Sequence, residues 1–284
     1  MEKKITFVCC PKPFNSDFSM IQHNAIQSWL KLEITRTVIV LGTDAGVKEY
    51  VLDCNEEQKS DKKQIIHHPD VKLNEWKTPL VNSIFEIGRH YTPDGELLCY
   101  INSDIILLES FSKTVVAWYD QFGTSTKNVL LVGKRWDWNN PKLIDFSLDN
   151  WEQTVVDTAK SDGRMHEHSG IDYFVHTKTT YPFIYPFGIG RYFWDWWLVG
   201  NCFRRNVMVI DITETAFVIH QNSPWFQGGK VVTDRKKMYQ TPEVKRNHSF
   251  DKYGKSIKDG TNWHSVVMPD GTIQFKTNDG KLRD

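Results

Sequence analysis

Four places in the 284-residue chain carry side chains whose types and spacing could do chemistry. The first is the triplet Asn102-Ser103-Asp104, set inside the apolar stretch Leu98–Leu108. The apolar part before it reads as a buried strand of a parallel sheet. A buried carboxylate costs several kcal/mol unless it is paired. The triplet is therefore expected at the carboxyl end of the strand, the edge where open α/β sheets bind ligands. Asp104 offers a hard oxygen suited to Mg²⁺ or Mn²⁺, or a cap for the following turn. The second place is Asp172, entering a further strand after Ser169-Gly-Ile. The third is Asp195, in the first turn of a helix, where the dipole favours an ionised carboxylate by roughly 0.3–1 kcal/mol. That suits a general base and equally suits a plain N-terminal helix acid. The fourth is His220, after the apolar run Ala216–Ile219, either a nitrogen ligand or a partly buried strand-end histidine.

Other motifs are excluded. His67-His68 and His166-Glu-His168 lack zinc spacing, and there is no Cys-x-x-Cys. No dinucleotide fingerprint, P-loop lysine or Gly-x-Ser-x-Gly elbow occurs. Lys+Arg and Asp+Glu balance at 35 each, so a general nucleic-acid binder is not expected. The five cysteines form no disulfide pattern and three lie in strand-like runs. That predicts reduced thiols in a reducing, cytoplasmic compartment. No apolar run is long enough for a membrane span, and the first strand is too short for a signal-peptide core. Asn247-His-Ser249 matches a glycosylation sequon that a cytosolic chain would not use. Six of the eleven tryptophans fall between Trp136 and Trp197. Trp136-Asp-Trp138 and Trp194-Asp-Trp-Trp197 mix acids into what a plain core would keep apolar, so core packing and a sugar-stacking platform both remain open.

The elements that must position these residues alternate strand and helix, which argues for a mainly parallel sheet. Strands are expected at Ile5–Cys10, Thr37–Leu41, Gln64–His67, Leu98 onward, Val129–Val132, Tyr173–His176, Val207–Ile210 and Ala216–Ile219. Helices are expected at 20–32, 79–87, 114–118 and 194–205. The helix at 20–32 places Ile21, Ala25, Trp29 and Leu32 on one face. Lys134–Asp172 reads as a long irregular segment. After Gln227 the chain is polar and basic, ending in a hairpin around Pro269-Asp-Gly271.

At these residues the chain resembles nucleotide-sugar glycosyltransferases of the GT-A class over roughly residues 5 to 230. Asn102-Ser-Asp104 is similar to the class's Asp-x-Asp signature, Asp195 to its helix-opening acid and His220 to its late metal-binding histidine. Gly170-Ile-Asp-Tyr-Phe-Val175, Pro186-Phe-Gly-Ile-Gly-Arg191, Trp194-Asp-Trp-Trp-Leu198, Val209-Ile-Asp211 and Ile219-His-Gln-Asn222 are collinear with one group of glycosyltransferase-like sequences. The resemblance implies an α/β fold of GT-A (Rossmann-like) type, a mixed, mainly parallel sheet flanked by helices. Residues 1–226 would form that domain and 227–284 a C-terminal extension on or near the site.

It further implies a UDP- or GDP-linked sugar donor, a carbohydrate or glycoconjugate acceptor, and a divalent metal on Asp104 and His220. Cys10, Pro11, Thr43 and Asp44 would border base and ribose, and Thr78 would start the helix beneath the donor. Asn102, standing where the class has its first acid, would meet the ribose, and Ser103 would contact the nucleotide or donor. Lys134, Arg135, Asp172 and Arg191 would contact the diphosphate or donor sugar, with solvated basic surface the alternative for the three cations. Asp195 would be the base of an inverting transfer. Trp136, Trp138 and Trp194 would stack on the acceptor, with core packing the competing reading for Trp194. The Arg164–Gly170 loop and the tail after Gln227 would close over the donor. A nucleotidyltransferase would need a glycine-rich, arginine-containing loop where the chain has Pro11-Lys-Pro-Phe-Asn15. A non-catalytic carbohydrate-binding module would give Asp104, Asp195 and His220 no reason to converge.

Overall fold

The computed structural model describes residues 2–14, 18–57, 64–123, 127–140, 142–222, 226–227, 230–231 and 235–279. The elements run β1 (Ile5–Cys9), α1 (Ser19–Lys31), β2 (Thr35–Leu41), α2 (Val47–Glu57), β3 (Gln64–His68), α3 (Val81–Tyr91), β4 (Leu97–Ile101), β5 (Ile105–Ile106) and α4 (Glu109–Gln121). Then come β6 (Val129–Val132), β7 (Trp136–Trp138), α5 (Trp151–Asp162), β8 (Arg164–Met165), β9 (Tyr173–Thr177), α6 (Trp194–Arg204), β10 (Met208–Asp211) and β11 (Ile219–Gln221). The chain closes with β12 (Phe226–Gln227), β13 (Lys230–Val231), α7 (Arg235–Tyr239), α8 (Pro242–Phe250), α9 (Ile257–Gly260), β14 (Trp263–Val267) and β15 (Ile273–Thr277).

A nine-stranded sheet in the order β15-β14-β10-β6-β9-β4-β1-β2-β3 forms the centre. Only β9 and β15 run against the rest. β1, β4 and β6 are buried along their whole length. They read as unbroken apolar runs because helices cover both faces of the sheet. One face packs Phe7, Trp29, Phe111 and Trp118 with α1 and α4. The other packs Phe85, Tyr100, Trp197 and Leu198 with α3 and α6. Among the described residues no helix is long and apolar enough to cross a membrane.

The parallel strands β1, β2, β4, β6 and β10 all end at one edge, and the reversed β9 begins there. Cys10, Gly42, Asn102, Gly133 and Asp172 are therefore brought to one rim. A small second sheet, β5-β11-β7-β8, is built on that rim. The Trp29 indole fixes it from below, donating to the Ile105 carbonyl at 2.8 Å.

Two expectations change. The segment 134–172 is not irregular: it holds β7, α5 and β8. β7 has only three residues, and α5 buries only Val155 and Ala159, too little apolar face for a clear helical period. The run Ala216–Ile219 is strand only from its last residue, since β11 pairs where the short β5 and β7 can reach it. The terminal hairpin forms as expected, and β14 lies parallel beside β10, so the 227–284 extension completes the central sheet.

Candidate active site

Asn102 caps the end of β4. Its backbone N–H donates to the Asp172 carbonyl at 2.9 Å, and its amide Nδ2 donates to Asp172 Oδ1 at 2.8 Å. Tyr100 Oη donates to Asn102 Oδ1 at 2.6 Å. The Ser103 hydroxyl donates to Gln22 at 3.2 Å. Asp104 follows, with its Oδ1 buried and without a hydrogen-bond partner among the described residues.

β11 lies antiparallel to β5, directly after the triplet, and parallel to β7 with His220 opposite Asp137. Paired residues share a sheet face, so both side chains point to the Asp104 side. His220 Nε2 is 3.5 Å from Asp104 Oδ2, and Nδ1 is 3.3 Å from Asp137 Oδ1. Asp137 also accepts from Arg135 Nε at 3.1 Å and contacts His166 Nδ1 at 2.6 Å. Arg135 reaches on to Asp172. Burial pushes the His220 imidazolium down, but Asp104 and then Asp137 outweigh that and hold its pKa up at about 10. Burial raises the Asp104 carboxyl, and His220, Arg135 and Lys12 together bring it below the ordinary value. Asp137 is likewise held low despite its burial, by His220, His166 and Arg135. The result is a nearly closed network of alternating charge that leaves Asp104 Oδ1 as its open acceptor.

Asp195 approaches from α6. Burial pushes its carboxyl up to about 7; the Trp196 backbone N–H opposes this, and Asp172 and Asp251 add to it. Asp172 thus links the two halves, bonding Asn102 and Arg135 on one side and facing Asp195 on the other. The turn into α6 is strained: Tyr192 has φ 42° and Phe193 φ 72°. Left-handed non-glycine residues cost of order 1–3 kcal/mol each and cluster at functional sites. Just before them, Arg191 donates to Glu243 of α8 at 2.6 Å and to Thr78 at 3.3 Å.

The structure brings together most of the residues singled out in the sequence. Asn102, Ser103, Asp104, Asp172 and His220 meet at the rim, with Cys10 and Pro11 at the end of β1, and Asp195 lies in electrostatic reach of Asp172. Asp44 faces Cys10 across the ends of β1 and β2, and Thr78 and Arg191 pair nearby. Arg135 is 14% exposed and fully engaged with two carboxylates, so it is a buried counter-charge rather than an open cation. Lys12, not singled out, lies in electrostatic reach of both Asp104 and Arg191.

The tryptophans are a correction. Trp194 is packed between Tyr100 and Phe174 and is 5% exposed. Trp138 packs with Val155, Ala159 and Ile219 in a separate core. Trp136 tilts against Phe217. Trp136 and Trp138 alternate with Asp137 along β7, so they point to the opposite face from the site. That alternation explains the acid in the cluster: Asp137 faces the charges, while Trp138 faces a core and the half-buried Trp136 faces Phe217. Asp137 and His166 were missed as site residues, although the acid between two tryptophans was the available signal. The Arg164–Gly170 segment runs beside Arg135, with the His166 N–H on its carbonyl at 2.8 Å. Residues 228–229, 232–234 and 280–284 of the expected closing tail lie outside the described residues.

Two clefts of about 970 and 660 Å³ lie elsewhere, one between α4 and β15, the other beside Trp136, Phe217 and Lys160. Neither is lined by Asp104, Asp195 or His220. The convergence of charged groups, and not cleft size, marks the site.

A divalent metal fits with limits. Among the described residues no group of three or more His, Cys, Asp or Glu is arranged to hold an ion. Asp104 and His220 would supply two ligands, one with a partnerless buried oxygen, once the imidazolium that Asp104 and Asp137 stabilise gives up its Nε2 proton to the incoming ion. Asp137 on His220 Nδ1 is the carboxylate–histidine arrangement that orients a metal-ligating imidazole. Such a set suits Mg²⁺ or Mn²⁺ completed by substrate phosphates and water.

Neither a protein-family model nor a curated protein matches the sequence. Solved structures do match. TarS residues 1–349 of S. aureus in complex with UDP-GlcNAc aligns with a TM-score of 0.50 at 10% identity, over 90% of this chain and 69% of that one. GalNAc-T7 with UDP, GalNAc and Mn²⁺ aligns with a TM-score of 0.50 at 11% identity, over 86% and 47%. The chain has the GT-A fold. The mannosyltransferase PcManGT from Pyrobaculum calidifontis, in complex with GDP-Man and Mn²⁺, aligns with a TM-score of 0.47 at 9% identity, over 80% and 58%. The chain spans 58% of that protein and 47% of GalNAc-T7. In this GT-A chain the strand ends β1, β2 and β4 form one wall of the site, and α6 with the small sheet forms the other.

Proposed function

We propose that the chain is a glycosyltransferase that moves a sugar from a nucleotide-diphosphate donor, UDP- or GDP-linked, to a hydroxyl of a carbohydrate or glycoconjugate. The observation that carries this reading is the Asp104–His220 pair at the sheet edge, with Asp172 beside it bonded to Asn102 and acting electrostatically on the elevated carboxyl of Asp195. Cys10, Pro11 and Asp44 border the base and ribose, with Thr78, Asn102 and Ser103 beside them. Lys12 faces the diphosphate, with Arg191 held beside it by Glu243 and Thr78. A divalent ion on Asp104 and His220 would supply Lewis-acid neutralisation of the leaving diphosphate.

Asp195 takes the proton of the acceptor hydroxyl as that oxygen attacks the anomeric carbon. A carboxyl with a pKa near the working pH combines a useful ionised fraction with adequate basicity. A base assisting direct displacement opposite the leaving group gives inversion. Asp172 supports the elevated Asp195 pKa, and Arg135 balances Asp172.

The test is a thermal-shift panel of UDP, GDP, dTDP and CMP, each with and without Mn²⁺. Ligands that bind only the native state raise Tm. One nucleoside diphosphate is expected to stabilise the protein well beyond CMP, and more so with Mn²⁺. No shift with any nucleotide would overturn the reading.

A further inference from the structure

The sequon asparagine Asn247 is wholly buried, on the inner face of α8. Its side chain is fully used. Oδ1 accepts from the Gly188 N–H at 2.9 Å. Nδ2 is shared among the carbonyls of Gly188 at 2.9 Å, Arg191 at 2.8 Å and Tyr192 at 3.1 Å. One amide thus ties together both ends of the segment that enters α6. That segment runs directly into Tyr192 and Phe193, consecutive bulky residues with φ of 42° and 72°. Outside glycine, asparagine and aspartate this conformation is uncommon. Phe193 is the capping residue of α6, and no side chain caps that helix. Asp195 lies two positions later. A Cβ at Gly188 would come within 2.8 Å of Glu243 Oε1, so α8 and this segment approach closely.

We propose that Asn247 is a positioning residue for the reaction. It holds Gly188–Tyr192 against the preference of Tyr192 and Phe193 for negative φ, and so fixes where Asp195 enters the site. The inference rests on the reading of Asp195 as the general base. It also assigns the sequon a structural use: the amide that glycosylation would modify is buried and fully bonded.

The test follows the Asp195 carboxyl carbon by NMR pH titration in the full chain, with the signal assigned from Asp195→Asn. Asp172 and Asp251 face the same carboxyl and are followed in parallel. In the native chain a midpoint near 7 is expected. In Asn247→Ala it should fall by a unit or more, as the loosened turn admits water. Adding Phe193→Gly should return it towards the native value, because glycine takes a positive φ without penalty. A midpoint unmoved by Asn247→Ala overturns the proposal, as does a fall that Phe193→Gly does not reverse. If Asn247→Ala does not fold, the same pair is read by circular dichroism, and a double variant that stays unfolded overturns it. A native chain whose Asp195 titrates at the ordinary carboxylate value instead removes the base reading itself. An unmoved midpoint in the variant leaves that reading standing.

Discussion

Asn102 donates its side-chain amide to the carboxylate of Asp172 at 2.8 Å. This contact gives a physical reason for asparagine at the first position of the triplet. An aspartate there would set two carboxylates in hydrogen-bond contact, already close to Asp195 and Asp104. The amide instead donates one hydrogen bond, accepts another from Tyr100 and adds no charge.

Asn102→Asp should therefore weaken the protein and not strengthen metal binding. The lost donor and the new like-charge contact are expected to cost about 1–3 kcal/mol at pH 8. The deficit should shrink at pH 4, where a shared proton relieves the repulsion. Chemical denaturation at the two pH values checks this; equal stability of variant and native chain at pH 8 would refute it.

Asp195→Asn should reduce transfer by 10²–10⁴, the range of general-base catalysis, with nucleotide affinity kept. In the native enzyme kcat/KM should rise with pH through about 7, because the base must lose its proton. The same group makes a stability prediction. Its folded pKa lies above the ordinary value, so the native state loses stability as pH rises through about 7. Asp195→Asn should thus raise Tm at pH 8 and leave it nearly unchanged at pH 4. A variant with the native pH-rate profile would remove Asp195 as the base.

Asp104→Ala should remove the effect of Mn²⁺ on nucleotide affinity. Titration calorimetry with the stabilising nucleotide, with Mn²⁺ and with EDTA, reads this directly. Native-like affinity in the variant under both conditions would exclude Asp104 as a ligand.

His176 is fully buried, stacked on Phe85 at 5.2 Å, with Nε2 unpartnered among the described residues. Burial pushes its pKa down to about 4, the Thr177 carbonyl opposing and Arg89 adding. The unfolded chain binds a proton near pH 6.5 that the native state refuses until about pH 4. Stability is therefore lost as pH falls through that window, by on the order of 3 kcal/mol. His176→Phe should flatten the loss, as seen in urea midpoints at pH 7 and pH 4.5. An equally steep fall in the variant would show that other groups set it.

By itself the sequence determined the alternation of strands and helices, the rim residues after β1, β2 and β4, and Asp195 and His220 as candidates. These signals are local: an apolar run followed by a polar residue marks where a strand leaves the core, whatever it packs against. The tertiary structure alone decided partners. The strand at Tyr173–His176 was legible, but its reversed direction was not, and that direction sets Asp172 on Asn102. Asp137 could be told from its tryptophan neighbours only once β7 paired with β11, because register decides which face a three-residue strand shows the site. Asn247 read as a sequon until α8 packed against the turn into α6. Hydrogen bonds between groups far apart in the chain leave no local trace in composition or periodicity, and they are what hold this site together.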